Sequence, residues 1–445
     1  MIRKFVHDFC VAAKADGIEK LNFYMQQKLD REISVYRGAL EYMERSELNQ
    51  LFVEGLIDDK CGSVFVENFD TALIPEYLNA MRENAAVTEK AFVPYDLSGL
   101  KTAACDNDMF TELDDTIHAM CAASDAACSF DARIDEGVQV HVNETSRRIS
   151  LADERENFVT DVVEGGRAGV HLVARDGEQV QPGGKGMPFH PNAMPDLESL
   201  AVQAAESAVS RFGAGSYATG SFPVVLDSRV VAELLDAFMP AFFARNIHSR
   251  MSVLAGRMGE QLAGENISIV EDPYLDGGFS TRTFDDEGTP TQKKAIIDRG
   301  VLSCWLHNKA TAGEDGVVSG GNGFKNQFSE AVTTGWTNVY IPQGEYTRQE
   351  LIEMMGQGIL ITSVSGVFAG ARPNSGDFSL ISNGFRVENG KIGKAVSQIT
   401  IAGNFFEMLR EVVAVGNDEH WMITGNGNVK TPSMYVRALA ISGKE

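Results

Sequence analysis

The sequence predicts an α+β protein in two domains, with mostly antiparallel sheets and flanking helices. Short runs with a two-residue hydrophobic period recur in both halves, divided by glycine and acidic turns. A few capped helical stripes interrupt them. At 445 residues the chain is too long for one ordinary core. The expected division is an N-terminal αβ domain over 1–217 and a strand-rich C-terminal domain over 218–445. Between them "GAGSYATGS" is small, polar and flexible.

The first stretch, "MIRKFVHDFCVAAKADG", has the early Arg3 and Lys4 of a signal peptide, but His7 and Asp8 interrupt the apolar run. Phe5, Phe9, Ala12 and Ala13 recur at helical spacing, so an amphipathic first helix is expected. Alternating runs follow: "KLNFYMQQ", "REISVYRG", "LEYMERSE", "LNQLFVEGLI" and "KCGSVFVENF". In "REISVYR", Ile33 and Val35 face one way while Glu32 and Ser34 face the other. With Gly38, Gly55 and the Asp58–Asp59 pair as turns, this reads as an antiparallel meander.

"LIPEYLNAMRENAAV" places Leu73, Tyr77, Leu78 and Met81 on one helical stripe, and a further helix is expected over 107–128. Strand alternation returns in "VQVHVNETSRRISLADE" and "GVHLVARDGEQVQ". The Gly- and Pro-rich "VQPGGKGMPFHPNAMP" should break regular structure. Next comes the helix "DLESLAVQAAESAVSRFGAG", with Asp196 as N-cap and Gly213 just past its end.

The second half is read as strands in "VLSCWLHN", "TNVYIP", "GILITSVSGVF", "FSLISNGFRVENGKI" and "AVSQITIAG", with a hairpin turn at "ENGK" (388–391). One helix interrupts them, "TRQELIEMMGQ", with a Thr347/Glu350 capping box and Gly356 at its end. Earlier, "DSRVVAELLDAFMPAFFARNIHSRMSVLAG" (227–256) reads as a structural helix burying Val231, Leu234, Leu235 and Phe238.

Composition excludes some functions. The 62 acidic and 39 basic residues give a net charge of -23, which repels a phosphate backbone and disfavours non-specific DNA binding. No apolar run is long enough to span a bilayer. Cysteines 10, 61, 105, 121, 128 and 304 are scattered, which fits free thiols in a reducing cytoplasm.

No active site announces itself, and no catalytic residue is assigned. His118, Cys121, Asp125 and Cys128 share a helical stripe. A straight helix cannot wrap one ion, so His118 and Cys121 are only outside metal candidates that need a second element. Cys304 and His307 should point to opposite faces of a strand. "VVSGGNGF" (317–324) lacks phosphate-loop spacing and reads as a turn or mobile loop. The carboxylates of "FDDEGTP" (284–290) read as a solvated loop, and those of Asp418 and Glu419, with His420, as diverging. Substrate-binding residues stay unknown.

Three long stretches carry a resemblance: "FDDEGTPTQKKAIIDRGVLSCWLHNKATA", "TNVYIPQGEYTRQELIEMMGQGILIT" and "GFRVENGKIGKAVSQITIAGNFFEMLREVVAVGND". They resemble the TldD/PmbA family, also called the modulator of DNA gyrase family, whose PmbA-type members are also called TldE. "EISVYRGALEYMERSE" and "DLESLAVQAAESAVSRFGA" agree more loosely. The resemblance implies a two-domain αβ fold and a paired assembly that processes peptides.

In TldD-type members it implies zinc on an H-E-x-x-x-H motif with a C-terminal cysteine as a further ligand. That motif would fall near Glu233 to Met239, where this chain reads "ELLDAFM". No H-E dipeptide occurs, the last cysteine is Cys304, and His248 alone makes no site.

The resemblance therefore implies a PmbA/TldE-like subunit of a TldD-type metalloprotease system, and the scattered cysteines make a cytoplasmic location the expectation. No cofactor is expected in this chain, and zinc is expected in the partner. Expected partners are a TldD-type subunit in a heterodimer or a second copy in a homodimer, with an extended or unfolded peptide as substrate. Direct contact with nucleic acid or membrane is not expected. Two alternatives stay open: an independent peptidase using residues such as the His118–Cys128 stripe, or a non-enzymatic binding protein acting on DNA gyrase.

Overall fold

The computed structural model describes residues 2–102, 110–135, 137–325, 331–425 and 427–443. Its first sheet comprises β1 (Leu21–Tyr36), β2 (Ala39–Ile57), β3 (Lys60–Val66), β4 (Gln139–Asp153), β5 (Phe158–Asp176) and β6 (Gln179–Phe189). The order is β3-β2-β1-β4-β5-β6, antiparallel throughout. Odd-numbered residues of β1 face four helices. Phe23 and Met25 pack under α1 (Ile2–Ala15) and α2 (Ile74–Val87), while Ile33 and Val35 pack under α3 (Leu113–Phe130) and α4 (Leu197–Val209).

The meander is longer-stranded than expected. "KLNFYMQQ" and "REISVYRG" lie on one 16-residue strand, and the next two runs on one of 19 residues. Gly38 and the Asp58–Asp59 pair do turn the chain, with φ of 71°, 48° and 63°. Gly55 does not. It lies within β2, where a Cβ would come 2.8 Å from Met81 Cε, so its smallness lets α2 close on the sheet.

"VQPGGKGMPF" is also a strand rather than a break. It forms the outer edge strand β6, where prolines 182 and 188 are tolerated. A Cβ on Gly183 would meet the Ala204 carbonyl of α4 at 2.3 Å. The helix expected over 107–128 is α3; positions 107–109, like Cys105, lie outside the described residues. Asp196 caps α4 by accepting from the Ser199 N–H. The expected boundary at 217/218 falls between α4 and the next strand.

Beyond it, β7 (Gly220–Leu226) leads into α5 (Ser228–Phe238) and α6 (Ala244–His248). A second sheet has the order β10-β9-β8-β13-β20-β19, from β8 (Ile269–Glu271), β9 (Lys294–Asp298), β10 (Val301–Leu302), β13 (Asn338–Tyr340), β19 (His420–Ile423) and β20 (Asn428–Thr431). A small pair, β11 (Gly323–Lys325) and β12 (Val332–Thr334), follows α7 (Lys309–Asp315).

The third sheet holds β7 with β14 (Gly358–Ser365), β15 (Ala371–Arg372), β16 (Asp377–Glu388), β17 (Lys391–Asn404), β18 (Val412–Val415) and β21 (Met434–Ser442). Because β14 bonds to both β7 and β16, five of these strands close into a ring. α8 (Arg348–Met355) carries the expected Thr347/Glu350 capping box and stops at Gly356, φ 70°. Two short helices, α9 (Val367–Gly370) and α10 (Phe405–Arg410), were not legible as such.

"VLSCWLHN" is a strand only at Val301–Leu302. Beyond Ser303, whose N–H reaches Ile296, Leu306 instead bonds to Phe242. The helix stripe of α5 is as expected: Val231, Leu234, Leu235 and Phe238 are buried, and Phe238 stacks on Phe405 at 4.6 Å. Among the described residues, no helix is long and apolar enough to cross a membrane.

Candidate functional site

Even-numbered residues of β1 face away from the four helices. At one end of that face, Tyr24, Phe52, Ile149, Leu151 and Val159 enclose Phe284, which ties the first sheet to the second half. Further along, the same face turns polar. Lys28, Asp30 and Arg147 line a cleft of about 590 Å³ opposite Arg282, Thr334 and Gly425. A ring wall borders it: Phe279 lines the cleft, stacks on His190 at 4.3 Å and meets Trp421 edge-on at 5.3 Å.

The floor is a buried charge network. Arg282, 1% exposed, donates from Nη2 to Asp286 Oδ1 (2.8 Å) and sits 3.4 Å from Asp161 Oδ2 through Nε. Asp161 also accepts from the Thr283 N–H and hydroxyl, at 2.7 and 2.8 Å. The other oxygen of Asp286 accepts from the Lys325 N–H at 2.8 Å and the Tyr24 hydroxyl at 3.4 Å. Asp285 accepts from the N–H groups of Glu287, Thr289 and Gly323. Burial, then the Glu287 charge, pushes its carboxyl up to about 7.

"FDDEGTP" is therefore not a solvated loop, since Asp285 and Asp286 are buried. Its acidic look comes from carboxylates that collect backbone donors and one arginine. The glycine-rich 317–324 stretch is a pinned turn. Asn322 is buried and donates to Glu271 and the Gly335 carbonyl, and Lys294 reaches Glu271, the Gly320 carbonyl and Asn322.

The other sequence candidates are placed apart. On α3, His118 is exposed, while Cys121 and Cys128 are half-buried against the Met120–Ala123–Ala127 core stripe. Cys304 donates to the Ala295 carbonyl. Asp418 accepts from Ser433, Glu419 pairs with Lys430, and His420 is pushed down to about 4 by burial, then by Lys185 and Arg229. His248 is not isolated: Glu314 and Asp315 bracket its ring at 2.8 Å each, and His307 approaches Asp315 at 3.8 Å. No local sequence spacing joins 248 to 307 and 315.

Arg147, Arg282 and Thr334 escaped sequence reasoning because their meeting depends on how the first sheet faces the later loops. Asp236 on α5 is another. Its half-buried carboxyl, raised by burial, lies beside Thr424 at the cleft wall.

A family model described as the PmbA/TldA metallopeptidase C-terminal domain matches residues 219–443, just over half of the chain. The chain belongs to the TldD/PmbA family. Curated relatives include the metalloprotease PmbA of Escherichia coli O157:H7, 29% identical over 57% of this chain and 53% of that protein. The PmbA homologue of Haemophilus influenzae is 30% identical over 54% and 50%. These matches span about half the length of each relative.

Among solved structures, a proposed modulator of a DNA gyrase from Thermotoga maritima superposes with a TM-score of 0.87 at 26% identity, over 99% of this chain and all of that one. TldE from Thermococcus kodakarensis gives 0.88 at 20% identity, over 98% and 100%, which is a likeness of fold.

A family described as metallopeptidase implies a metal, so the donor set matters. Where the resemblance puts the TldD-type zinc motif, α5 offers only Glu233 and Asp236. Glu233 is tied to Arg229 at 3.0 Å, and the rest of that turn is core. Among the described residues, no group of three His, Cys, Asp or Glu side chains could hold a metal ion. These residues do not fit the zinc of the motif.

Proposed function

We propose that this chain is the PmbA/TldE-type subunit of a peptide-processing metallopeptidase assembly, and that a TldD-type partner supplies the zinc. The observation that carries this reading is α5. At the motif position it presents Val231, Leu234, Leu235 and Phe238 to the core, with no histidine and no convergent ligand set. The cleft beside it supplies a place for substrate, with hydrogen-bonding groups and an aromatic wall.

An extended peptide suits the neighbouring sheet. Register pairs β3 with β2 only from Leu51 to Ile57, so residues 39–50 of β2 have no strand on their outer side among the described residues. Such an edge can add a strand. Tyr42, Met43 and Leu48 are exposed along it.

The test is hydrolysis of an unfolded protein substrate by this chain, by a TldD-type subunit, and by the two together. The reading expects co-elution and chelator-sensitive cleavage by the mixture. Cleavage by this chain alone would favour an independent peptidase. Binding to gyrase without the TldD-type subunit would favour the modulator reading.

A further inference from the structure

The two carboxylates of the cleft floor are both taken by one of its two arginines. Asp161 and Asp286 both go to Arg282, and the remaining acceptor sites of Asp286 take Lys325 N–H and Tyr24 hydroxyl. Arg147 on β4 lines the same cleft, and no described side chain hydrogen-bonds to or ion-pairs with its guanidinium. Burial and the neighbouring Arg282 charge both disfavour its charged form. A half-buried guanidinium is thus held beside a buried one with no described carboxylate hydrogen-bonded to it.

A second group lines the same cleft. Thr334 on β12 is 6% exposed and lines the cleft, and among the described residues its buried Oγ1 finds no hydrogen-bond partner. A buried hydroxyl left unpaired costs free energy unless a ligand satisfies it.

We propose that Arg147 and Thr334 form a subsite for one carboxylate of a bound peptide. A guanidinium fork matches a carboxylate in a bidentate pair, and the hydroxyl can donate to the same group. One guanidinium without a hydrogen-bonded carboxylate suits a monoanion better than a phosphate dianion. The carboxylate can be the C-terminus of the peptide or an Asp or Glu side chain. This rests on the peptide-holding reading above.

The test is fluorescence anisotropy of the full chain with three labelled forms of one unstructured peptide. The forms are a free C-terminal acid without acidic residues, its C-terminal amide, and the amide carrying one Glu. If the site takes the C-terminus, amidation weakens binding at least tenfold and Glu does not restore it; if it takes a side chain, the Glu form alone binds tightly. Arg147→Gln and, more mildly, Thr334→Val should remove the preference.

Equal binding of all three forms, or a preference that survives Arg147→Gln, would overturn the subsite while leaving peptide binding intact. If no form binds, the peptide reading fails, and the subsite is then read by melting temperature. Acetate should stabilise the wild type over chloride at equal ionic strength, and Arg147→Gln should lose that gain. No acetate effect, or stabilisation by inorganic phosphate alone, would overturn the subsite as well.

Discussion

Asp161 on β5 holds Thr283 twice, accepting its backbone N–H at 2.7 Å and its hydroxyl at 2.8 Å across 122 residues of sequence. Both residues sit where the first sheet meets the second half, beside the buried guanidinium of Arg282. The cleft exists because this junction fixes the sheet's open face against the later loops.

Removing Arg282 should therefore be severe. Arg282→Met would leave Asp161 and Asp286 buried without their counter-charge, at a cost of about 3–5 kcal/mol. Urea denaturation should show the loss. A cost below about 1 kcal/mol would mean the network is not what joins the two halves.

Asp285→Asn tests the carboxylate-collecting turn. Both oxygens accept N–H groups, so an amide nitrogen would face a donor, from either Gly323 or the Glu287/Thr289 pair. The expected loss is about 1–3 kcal/mol. Asp285→Ala should cost at least as much. Near-wild-type stability for the amide would show that the turn does not need both acceptors.

Two histidines should bend the pH profile in opposite directions. His420, held down to about 4, stays neutral in the fold while the unfolded chain takes up a proton near pH 6.5. Its contribution is complete above about pH 6.5 and declines as pH falls toward 4. His248 is raised, first by its hydrogen bond to Asp315, so its contribution is complete below about pH 6.5 and is lost as pH rises through the folded value. Unfolding free energies between pH 4.5 and 8.5 should be flatter on the acid side for His420→Gln and on the alkaline side for His248→Gln.

Gly183→Val should loosen the cover of the first sheet, since a Cβ there would meet the Ala204 carbonyl of α4 at 2.3 Å. A loss of about 1–3 kcal/mol is expected. Gly177→Ala, which faces open space but has φ 59°, controls for backbone strain alone.

The legible parts of the fold were those with local causes. The Thr347/Glu350 box, the Asp196 cap, the "ENGK" turn and the α5 stripe each depend on residues within one or two turns of chain. Long strands were harder to see because β1 and β2 run past the core, so polar residues such as Gln26, Gln27, Lys28, Asp30 and Arg31 interrupt the apolar period without ending the strand. β6 was hidden because proline and glycine are tolerated at a sheet edge. The site was the least legible part. Arg147, Arg282 and Thr334 are separated by 135 and 52 positions (282 − 147 and 334 − 282) and meet only through tertiary packing.

The most direct measurement is zinc per chain, by elemental analysis of protein purified without chelators or a metal-affinity tag. The account predicts close to none, with hydrolysis appearing only when a TldD-type subunit is added. Close to one zinc per chain, lost on His118→Ala or Cys121→Ser, would contradict it and make this chain the metal-bearing enzyme.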